Sequence, residues 1–371
     1  MVPKPLRRGL LLFILVLIVE YLVIPELVGA SKDLDLLGRV NAGWLIAGLV
    51  LEAASLFCYG LLTRALLPAG KRPGLSRLLR IDLAAAAVAH VIPAGTVGSA
   101  GIGYRLFTAE GVDGPDAAVM MATKGMGSTV VLNVLLWLSL VISIPLAGFH
   151  PIYVSVAVVG AVALALVAAL AFGLTRGPGR ASRLVHWAGR KVPGLTGDQL
   201  EGLFLRVGSS LRDLARDPNV MVASLSWAAL NWLLDAASLW CFVAAFGRFV
   251  NPAELFAAYG IANVLGVLPV TPAGLGVIDT TAPLLLVSFG VTRSVATLGV
   301  LSWRLVNFWL PIPAGAAAYV SLKVPRGSRL KGVRRALAEM MSRGETGPRQ
   351  DPPPRGDRGT SDRGLLRGPG D

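Results

Sequence analysis

The chain of 371 residues is 54% hydrophobic and only 15% charged, and its mean hydropathy is +0.64. A soluble domain carries about 25% charged residues, so these values exclude an ordinary soluble enzyme or binding domain and predict an all-α polytopic membrane protein. The formal net charge of +13 would suit a nucleic-acid-binding protein, but in membrane proteins lysine and arginine gather in cytoplasmic loops. We therefore expect no nucleic-acid partner.

Two spans open the chain. Residues 9–30 form an apolar run that contains Glu20 and lacks a clear cleavage site, so we interpret it as a retained span and not as a signal peptide. Residues 40–67 form the second span. The basic residues before the first span and after the second predict that both of these ends lie in the cytoplasm.

The next segment, residues 81–110, is broken by the glycine-rich stretch IPAGTVGSAGIG, and its two arms are too short to span. Residues 116–147 and 152–172 can each cross the bilayer, and a basic loop at 173–218 returns the chain to the cytoplasm. Because two full crossings separate two cytoplasmic loops, the broken segment must cross an even number of times. We predict a re-entrant hairpin.

The last third repeats this organisation. Residues 220–246 form a span, 251–269 and 272–289 form two arms that meet at a Pro/Gly-rich motif, and 294–322 form a final span. Basic residues outnumber acidic ones after it, which predicts a cytoplasmic C-terminus.

These segments predict about six full spans plus two re-entrant or broken-helix hairpins, eight or so hydrophobic helices in all. The predicted organisation is a transmembrane domain over 1–325, with repeat units at about 40–147 and 219–322, a basic amphipathic juxtamembrane helix at 326–342 and a disordered tail at 343–371.

An internal repeat accounts for the two hairpins. A shift of 179 residues places Pro-Ala-Gly at 93–95 on Pro-Ala-Gly at 272–274, and Gly-Val at 111–112 on Gly-Val at 290–291. Each of these short matches is common in a chain rich in alanine, glycine and valine, so a coincidental match is the alternative to a true repeat. The loop charges orient the hairpins oppositely, and transporters build substrate sites from such inverted-topology repeats of broken helices.

Charged residues inside the membrane are costly and usually face a partner or a cavity. The candidates are Glu52, Arg105, Lys124, Asp235, Asp279 and Arg304, with Asn231, Asn263 and Asn307 as neutral neighbours. We expect the tryptophans to serve packing.

The sequence leaves the roles of these groups open. Asp279 could hold a substrate cation, pair with Arg304, or cap the helix after the glycine turn. Arg304 could pair with Asp235 or Asp279, or contact a lipid phosphate. Lys124 could point into a cleft or extend to the cytoplasmic rim, near which Arg105 would contact anionic lipid.

Three stretches carry a family resemblance. PVTPAGLGVID at 269–279 resembles the P-x-TPGG-x-G-x-x-E signature of the lysylphosphatidylglycerol synthase transmembrane region, also called flippase-like or UPF0104 proteins. The stretch GVTRSVATLGVLSWRLVNFWLPIPAG at 290–315 resembles that family's ending, and IPAGTVGSAGIGYRLF at 92–107 its looser first motif. The resemblance covers roughly residues 10–325.

The sequence departs from the family pattern at three positions. Ala273 replaces a glycine, which we expect to be a mild change. Asp279 replaces the usual glutamate with a shorter acid. Lys124 stands where arginine is common, so bidentate phosphate binding there is not expected.

The resemblance implies a membrane protein that moves lipids between leaflets. It does not extend to the soluble aminoacyl-transferase domain of bifunctional members, so lysyl transfer is not expected. Together with the charges inside spans, it selects these candidate substrate-binding residues: Pro93, Gly95, Arg105, Lys124, Asp235, Pro272, Gly274, Gly276, Asp279 and Arg304.

The leading hypothesis is a flippase-like protein of the plasma membrane whose partners are anionic membrane lipids, with homo-oligomers left open. A secondary transporter of a small amphiphile and a non-transporting scaffold are the alternatives. Because the histidines and cysteines lack ligand spacing and no soluble catalytic motif is present, we expect no metal, no cofactor and no enzymatic activity.

Overall fold

The computed structural model describes residues 38, 40–68, 70, 72–91, 95–147, 161–162, 165, 209, 216–266 and 272–323. The chain divides into two compact units, Met1–Leu322 and Lys323–Asp371, and every contact reported below lies within the first. Several predictions therefore lie outside the described residues: the span at 9–30, most of the span at 152–172, most of the loop at 173–218, and the segments 326–342 and 343–371.

All regular elements within the described ranges are helical. In chain order they are α1 (Ala42–Leu66), α2 (Leu75–Val91), α3 (Gly95–Ala109), α4 (Gly114–Ala147), α5 (Pro218–Ala245), α6 (Pro252–Gly266), a 3-10 turn (Pro272–Gly274), α7 (Val277–Ser288), α8 (Arg293–Arg304), a π-helical turn (Leu305–Trp309) and α9 (Pro311–Lys323).

Four helical segments of the described chain are long and apolar enough to cross a membrane, and each lies on a predicted span: Ala42–Leu66, Gly114–Leu140, Pro218–Ala245 and Arg293–Lys323. Polar caps begin two of them. The Asn41 side chain accepts from the amides of Gly43 and Trp44 before α1, and Asp217 caps α5 in the same way. The caps satisfy amides that the helices leave free.

The second set of helices is shorter. The helices α2, α3, α6 and α7 have 17, 15, 15 and 12 residues, fewer than the ~20 that a crossing needs. They form the two predicted hairpins, because α2 packs on α3 and α6 packs on α7. The 3-10 turn of the second hairpin also contacts both α2 and α3. The turn of the second hairpin therefore lies beside both arms of the first.

The first hairpin begins earlier than the sequence analysis predicted. Its first arm starts at Leu75 and not at residue 81, so Arg77 and Arg80 belong to a helix and not to a loop. Arg77 pairs with Glu110, which follows the end of α3. This ion pair joins the two ends of the hairpin.

The segments that the 179-residue shift aligns have the same local structure. The helix α3 ends at Ala109 and α7 at Ser288, and α4 begins at Gly114 and α8 at Arg293. Gly111 and Gly290 follow with φ of 89° and 84°. The amides of Val112 and Val291 then bond back to residues 107 and 286, both at 3.1 Å. Such helix endings require glycine at the positive φ, so the repeated Gly-Val has a structural cause.

The core of this unit forms where α5, α6, α7 and α8 meet. Leu239, Tyr259, Ala282 and Leu286 are fully buried there, and Trp303 is nearly so. In contrast, large apolar side chains such as Ile46 are exposed on the outside, as a lipid-facing surface requires. The polar residues of the site lie among the core helices and not on that outer surface.

Ala273 corrects one expectation. Its backbone lies at φ 42° and ψ 41°, in the left-handed region, where a Cβ costs about 1–2 kcal/mol relative to glycine. The replacement of the family's glycine is therefore not mild. The neighbouring Gly274 also has positive φ, at 70°, and a Cβ there would lie 2.9 Å from the Gly266 Cα, so this turn is tight on both sides.

Ala273→Gly is therefore expected to stabilise the protein by about 1 kcal/mol because it removes this backbone strain. The measurement is unfolding of the purified protein in mixed micelles with a rising fraction of SDS. Ala53→Gly is the matched control: it removes an exposed methyl group from the helical interior of α1 and should cost about 1 kcal/mol. Destabilisation by both variants would contradict the strain.

Candidate functional site

Each of the two carboxylate oxygens of Asp279, at the start of α7, accepts one hydrogen bond. Its Oδ2 accepts from the Gly276 amide at 2.6 Å, and its Oδ1 accepts from Arg304 Nε at 2.6 Å. Two of the alternatives from the sequence are therefore combined, because this carboxylate both caps the helix and pairs with Arg304.

Arg304 lies at the end of α8 and is almost completely buried, with 2% of its surface exposed. Its guanidinium carbon lies 4.4 Å from the centre of the Phe308 ring. Its Nη2 is buried and has no hydrogen-bond acceptor among the described residues. Because buried polar atoms are normally satisfied, this donor is a candidate contact for an anionic ligand.

A second polar group joins α1 and α5 to the turn that follows α8. Asn307 Nδ2 donates to Glu52 Oε1 at 3.0 Å and to Asp235 Oδ1 at 3.2 Å. Asp235 accepts two further hydrogen bonds, from Tyr259 and Trp303. Asp235 thus does not take the role of ion-pair partner to Arg304, which Asp279 fills.

Asn307 and Phe308 lie in the π-helical turn. Leu310 N bonds to Leu305 O, one residue further back than in an α-helix. The extra residue leaves the Phe308 carbonyl 2.9 Å from His90 Nδ1, and the two rings stack with centroids 4.6 Å apart. Single π turns are frequent at functional sites, and this one connects the first hairpin to the last span.

Lys124 belongs to a separate buried pair. Its Nζ lies 2.9 Å from Asp82 Oδ1, 2.5 Å from Thr63 Oγ1 and 3.3 Å from the centre of the Tyr59 ring. With 6% of its surface exposed, it does not extend to the rim. The shift of 179 residues brings Lys124 within one position of Arg304, and each of these cations pairs with a carboxylate of a hairpin.

The other candidates fall into two groups, those at the turn before α7 and those of the first hairpin. Gly276, at φ 79°, precedes α7, and Gly274 lies in the tight turn with Pro272. Gly95 is the first residue of α3. Arg105 is exposed on α3 and does not join the buried cluster. Pro93 lies outside the described residues.

Sequence reasoning left several residues of the site out of the candidate set: Thr63, Asp82, His90, Tyr259 and Trp303. Asp82 could have been found, because it is an acid at the start of the apolar run IDLAAAAVAHV. Tyr259 and Trp303 gave no signal, since aromatic residues in a span usually pack. Trp303 does pack, but its indole also donates to Asp235 at 2.7 Å.

No group of three or more His, Cys, Asp or Glu side chains within the described ranges is arranged to hold a metal ion. The polar cluster consists instead of carboxylates, one guanidinium and neutral donors. Such a set can bind protons, or an anion at the free Arg304 donor.

Comparison with known proteins agrees with this picture. The family model of the lysylphosphatidylglycerol synthase transmembrane region matches residues 9–315. The chain belongs to this family. The match includes every described helix from α1 to α8, the π turn and both hairpins, so the buried pairs lie within the family domain and not in an added segment.

Two curated relatives are UPF0104 membrane proteins of archaea. One, of Methanothermobacter thermautotrophicus, is 27% identical over 30% of this chain and 32% of its own length. Another, of Methanocaldococcus jannaschii, is 30% identical over 28% of this chain and 31% of its own length. The matched segments thus span about a third of the relatives' length, and they show similarity to membrane proteins of this type.

Proposed function

We propose that this member of the family moves a lipid whose headgroup carries a phosphate between the two leaflets of its membrane. The observation that carries the proposal is the buried Arg304 Nη2, which has no acceptor among the described residues and lies beside a hairpin break. A guanidinium offers several donors in a plane that matches phosphate oxygens. The lipid class is therefore a phospholipid, an aminoacylated phospholipid or a polyprenyl-linked phosphate.

The arrangement around Arg304 suits a phosphate that arrives and leaves. Asp279 accepts from the Nε of the Arg304 guanidinium, so the ion pair is neutral when no lipid is bound. The Nη2 of the same guanidinium stays available for a phosphate. Moving a charged headgroup through hydrocarbon is costly, and a polar wall within the protein lowers that barrier. The acyl or isoprenoid chains stay in the bilayer, along the exposed apolar outer surface.

Movement of the two breaks relative to each other would open the site. The 3-10 turn contacts α2, α3 and α6, and the neighbouring glycines tolerate changes of φ that other residues resist. The mechanism contains no chemical step, so we propose no enzymatic activity. We place the protein in the plasma membrane, and the loop charges favour an orientation with both termini cytoplasmic.

The test is transport in proteoliposomes. Purified protein is reconstituted, and the inner-leaflet fraction of fluorescent phosphatidylglycerol, lysyl-phosphatidylglycerol or a polyprenyl phosphate is followed by chemical quenching of the outer leaflet. Arg304→Lys keeps the charge but removes the Nη2 donor. We expect its transport rate to fall about tenfold or more, the effect of one charged hydrogen bond.

Arg80→Lys is the matched control, because Arg80 is exposed on α2 and makes the same chemical change. It should transport at the wild-type rate. If folded wild-type protein moves each tested lipid no faster than protein-free vesicles do, lipid translocation is wrong. If Arg304→Lys and Arg80→Lys both match the wild type, the role of Arg304 is wrong.

A secondary transporter of a small amphiphile is the second candidate. The observation that favours it is the excess of buried acid: Glu52, Asp235 and Asp279 are all buried, and the buried Arg304 guanidinium pairs with Asp279. Uptake of a soluble amphiphile by the same proteoliposomes, with no lipid movement, would support this candidate over the first.

A further inference from the structure

We propose that Glu52 and Asp235 form a proton-binding site inside the membrane domain, with the proton on Glu52 and the negative charge on Asp235. The two carboxyl groups are neighbours, since the same Asn307 Nδ2 donates to an oxygen of each, at 3.0 and 3.2 Å. Both side chains are more than nine-tenths buried. They come from different helices, α1 and α5.

The hydrogen bonds assign the proton to Glu52. Asp235 accepts from Tyr259 at 2.8 Å, Trp303 at 2.7 Å and Asn307, and three donors suit a carboxylate that stays charged. Glu52 Oε2, in contrast, is buried and has no donor within the described ranges. A proton on Glu52 would satisfy this atom by donating to Asp235, the neighbouring acceptor.

The nearby hydroxyl group does not supply this donor. Ser238 lies beside Glu52, but its single hydroxyl proton is donated to the Gly48 carbonyl at 2.9 Å. While the Ser238 proton is on the Gly48 carbonyl, Glu52 Oε2 has no donor among the described residues. A carboxyl proton is the simplest ligand that removes both the unsatisfied atom and one of the two negative charges.

The charges around the pair favour the same state. Arg304 interacts electrostatically with Asp235, but its Nε is held by Asp279 at 2.6 Å. Tyr259 donates to Asp235 as a neutral phenol, and His90 faces Phe308. Lys124 pairs with Asp82 beside Thr63, about three helical turns along α1 from Glu52. Two unpaired carboxylates in this interior would be costly, and one proton leaves a single charge.

A sodium ion is the competing ligand. Hard cations take about six or more oxygen ligands, and the described residues contain no cluster of acids and histidines of the kind that holds a metal. The pair offers two carboxyl groups, whose other near neighbours are donors. This arrangement fits a proton and not a hydrated or fully coordinated ion.

The consequence for transport rests on the proposed function. Opening the site would bring water to Glu52, and its proton would leave because the unprotonated form is then solvated. Protonation on one side and release on the other would couple lipid movement to the proton gradient. The coupling needs water to reach Glu52 from one side of the membrane at a time.

Infrared difference spectroscopy tests the site itself, on the full chain in lipid during a titration with acid. We expect a protonated carboxylic acid band at neutral pH that shifts in D2O and is lost in Glu52→Gln. Glu110→Gln is the matched control and should keep the band, since Glu110 pairs with Arg77 and stays ionised. Absence of the band in the wild type, or persistence of the band in Glu52→Gln, would overturn the proton site. Loss of the wild-type band when sodium is added at constant pH would also overturn it.

Transport measurements test the coupling. We expect the wild-type lipid rate to respond to an imposed proton gradient and the Glu52→Gln rate to be independent of it. An equal response of both proteins would overturn the coupling. The band requires no transport, so a normal band without lipid movement would overturn only the proposed function, and lipid movement without the band would overturn only the proton site.

Discussion

Arg304→Met is expected to lower the free energy of unfolding by about 3–5 kcal/mol, because it leaves the Asp279 carboxylate buried without a counter-charge. The two groups are 2% and 1% exposed and 2.6 Å apart, so water cannot take over from the lost partner. Asp279→Asn should have a similar effect through the opposite charge. Its amide oxygen can still accept from the Gly276 amide, so the loss reports the ion pair and not the helix cap.

The double variant Arg304→Met/Asp279→Asn separates the pair from its surroundings. Since it removes both charges, it should be less destabilised than the sum of the single variants, and the difference measures the coupling of the two residues. Unfolding in mixed micelles with a rising fraction of SDS provides the free energies. Single-variant losses below about 1 kcal/mol, the size typical of exposed pairs, would show that the pair is accessible to water.

Gly315→Ala should also destabilise the protein, by about 1–3 kcal/mol. A Cβ at this position of α9 would lie 2.2 Å from the Leu83 carbonyl oxygen and 2.6 Å from the Ala87 Cβ. The contact is with backbone of α2, which cannot rotate away as a side chain can. The helices α9 and α2 must therefore move apart, although alanine is the better helix former.

Gly125→Ala is the control with the opposite expected sign. Gly125 is exposed within α4, and a Cβ there would meet nothing within 4 Å. The same substitution should stabilise the helix by about 0.5–1 kcal/mol. Thermal unfolding of both purified variants compares them directly, and stabilisation by both would mean that α9 does not pack on α2 as described.

The fold was predictable where the sequence pattern is local. Apolar runs of sufficient length placed α1, α4, α5 and the last span, and proline and glycine placed the two breaks. The repeated Gly-Val pair at 111–112 and 290–291 could be recognised in the sequence. The pair recurs because each helix ending needs a residue with positive φ. The strain at Ala273 was not predictable, because a left-handed alanine gives no sign in the sequence.

The site was only half predictable, for a physical reason. Hydropathy alone identifies charged residues inside apolar segments, since each is costly in hydrocarbon, and Asp235, Asp279, Arg304 and Lys124 were found in that way. Their partners depend on the rotation and depth of packed helices. Glu52 and Asn307 meet across 255 positions of the chain, and Arg304 meets Asp279 across 25. The sequence by itself therefore determined which groups must be compensated, and only tertiary packing decided which group compensates each one.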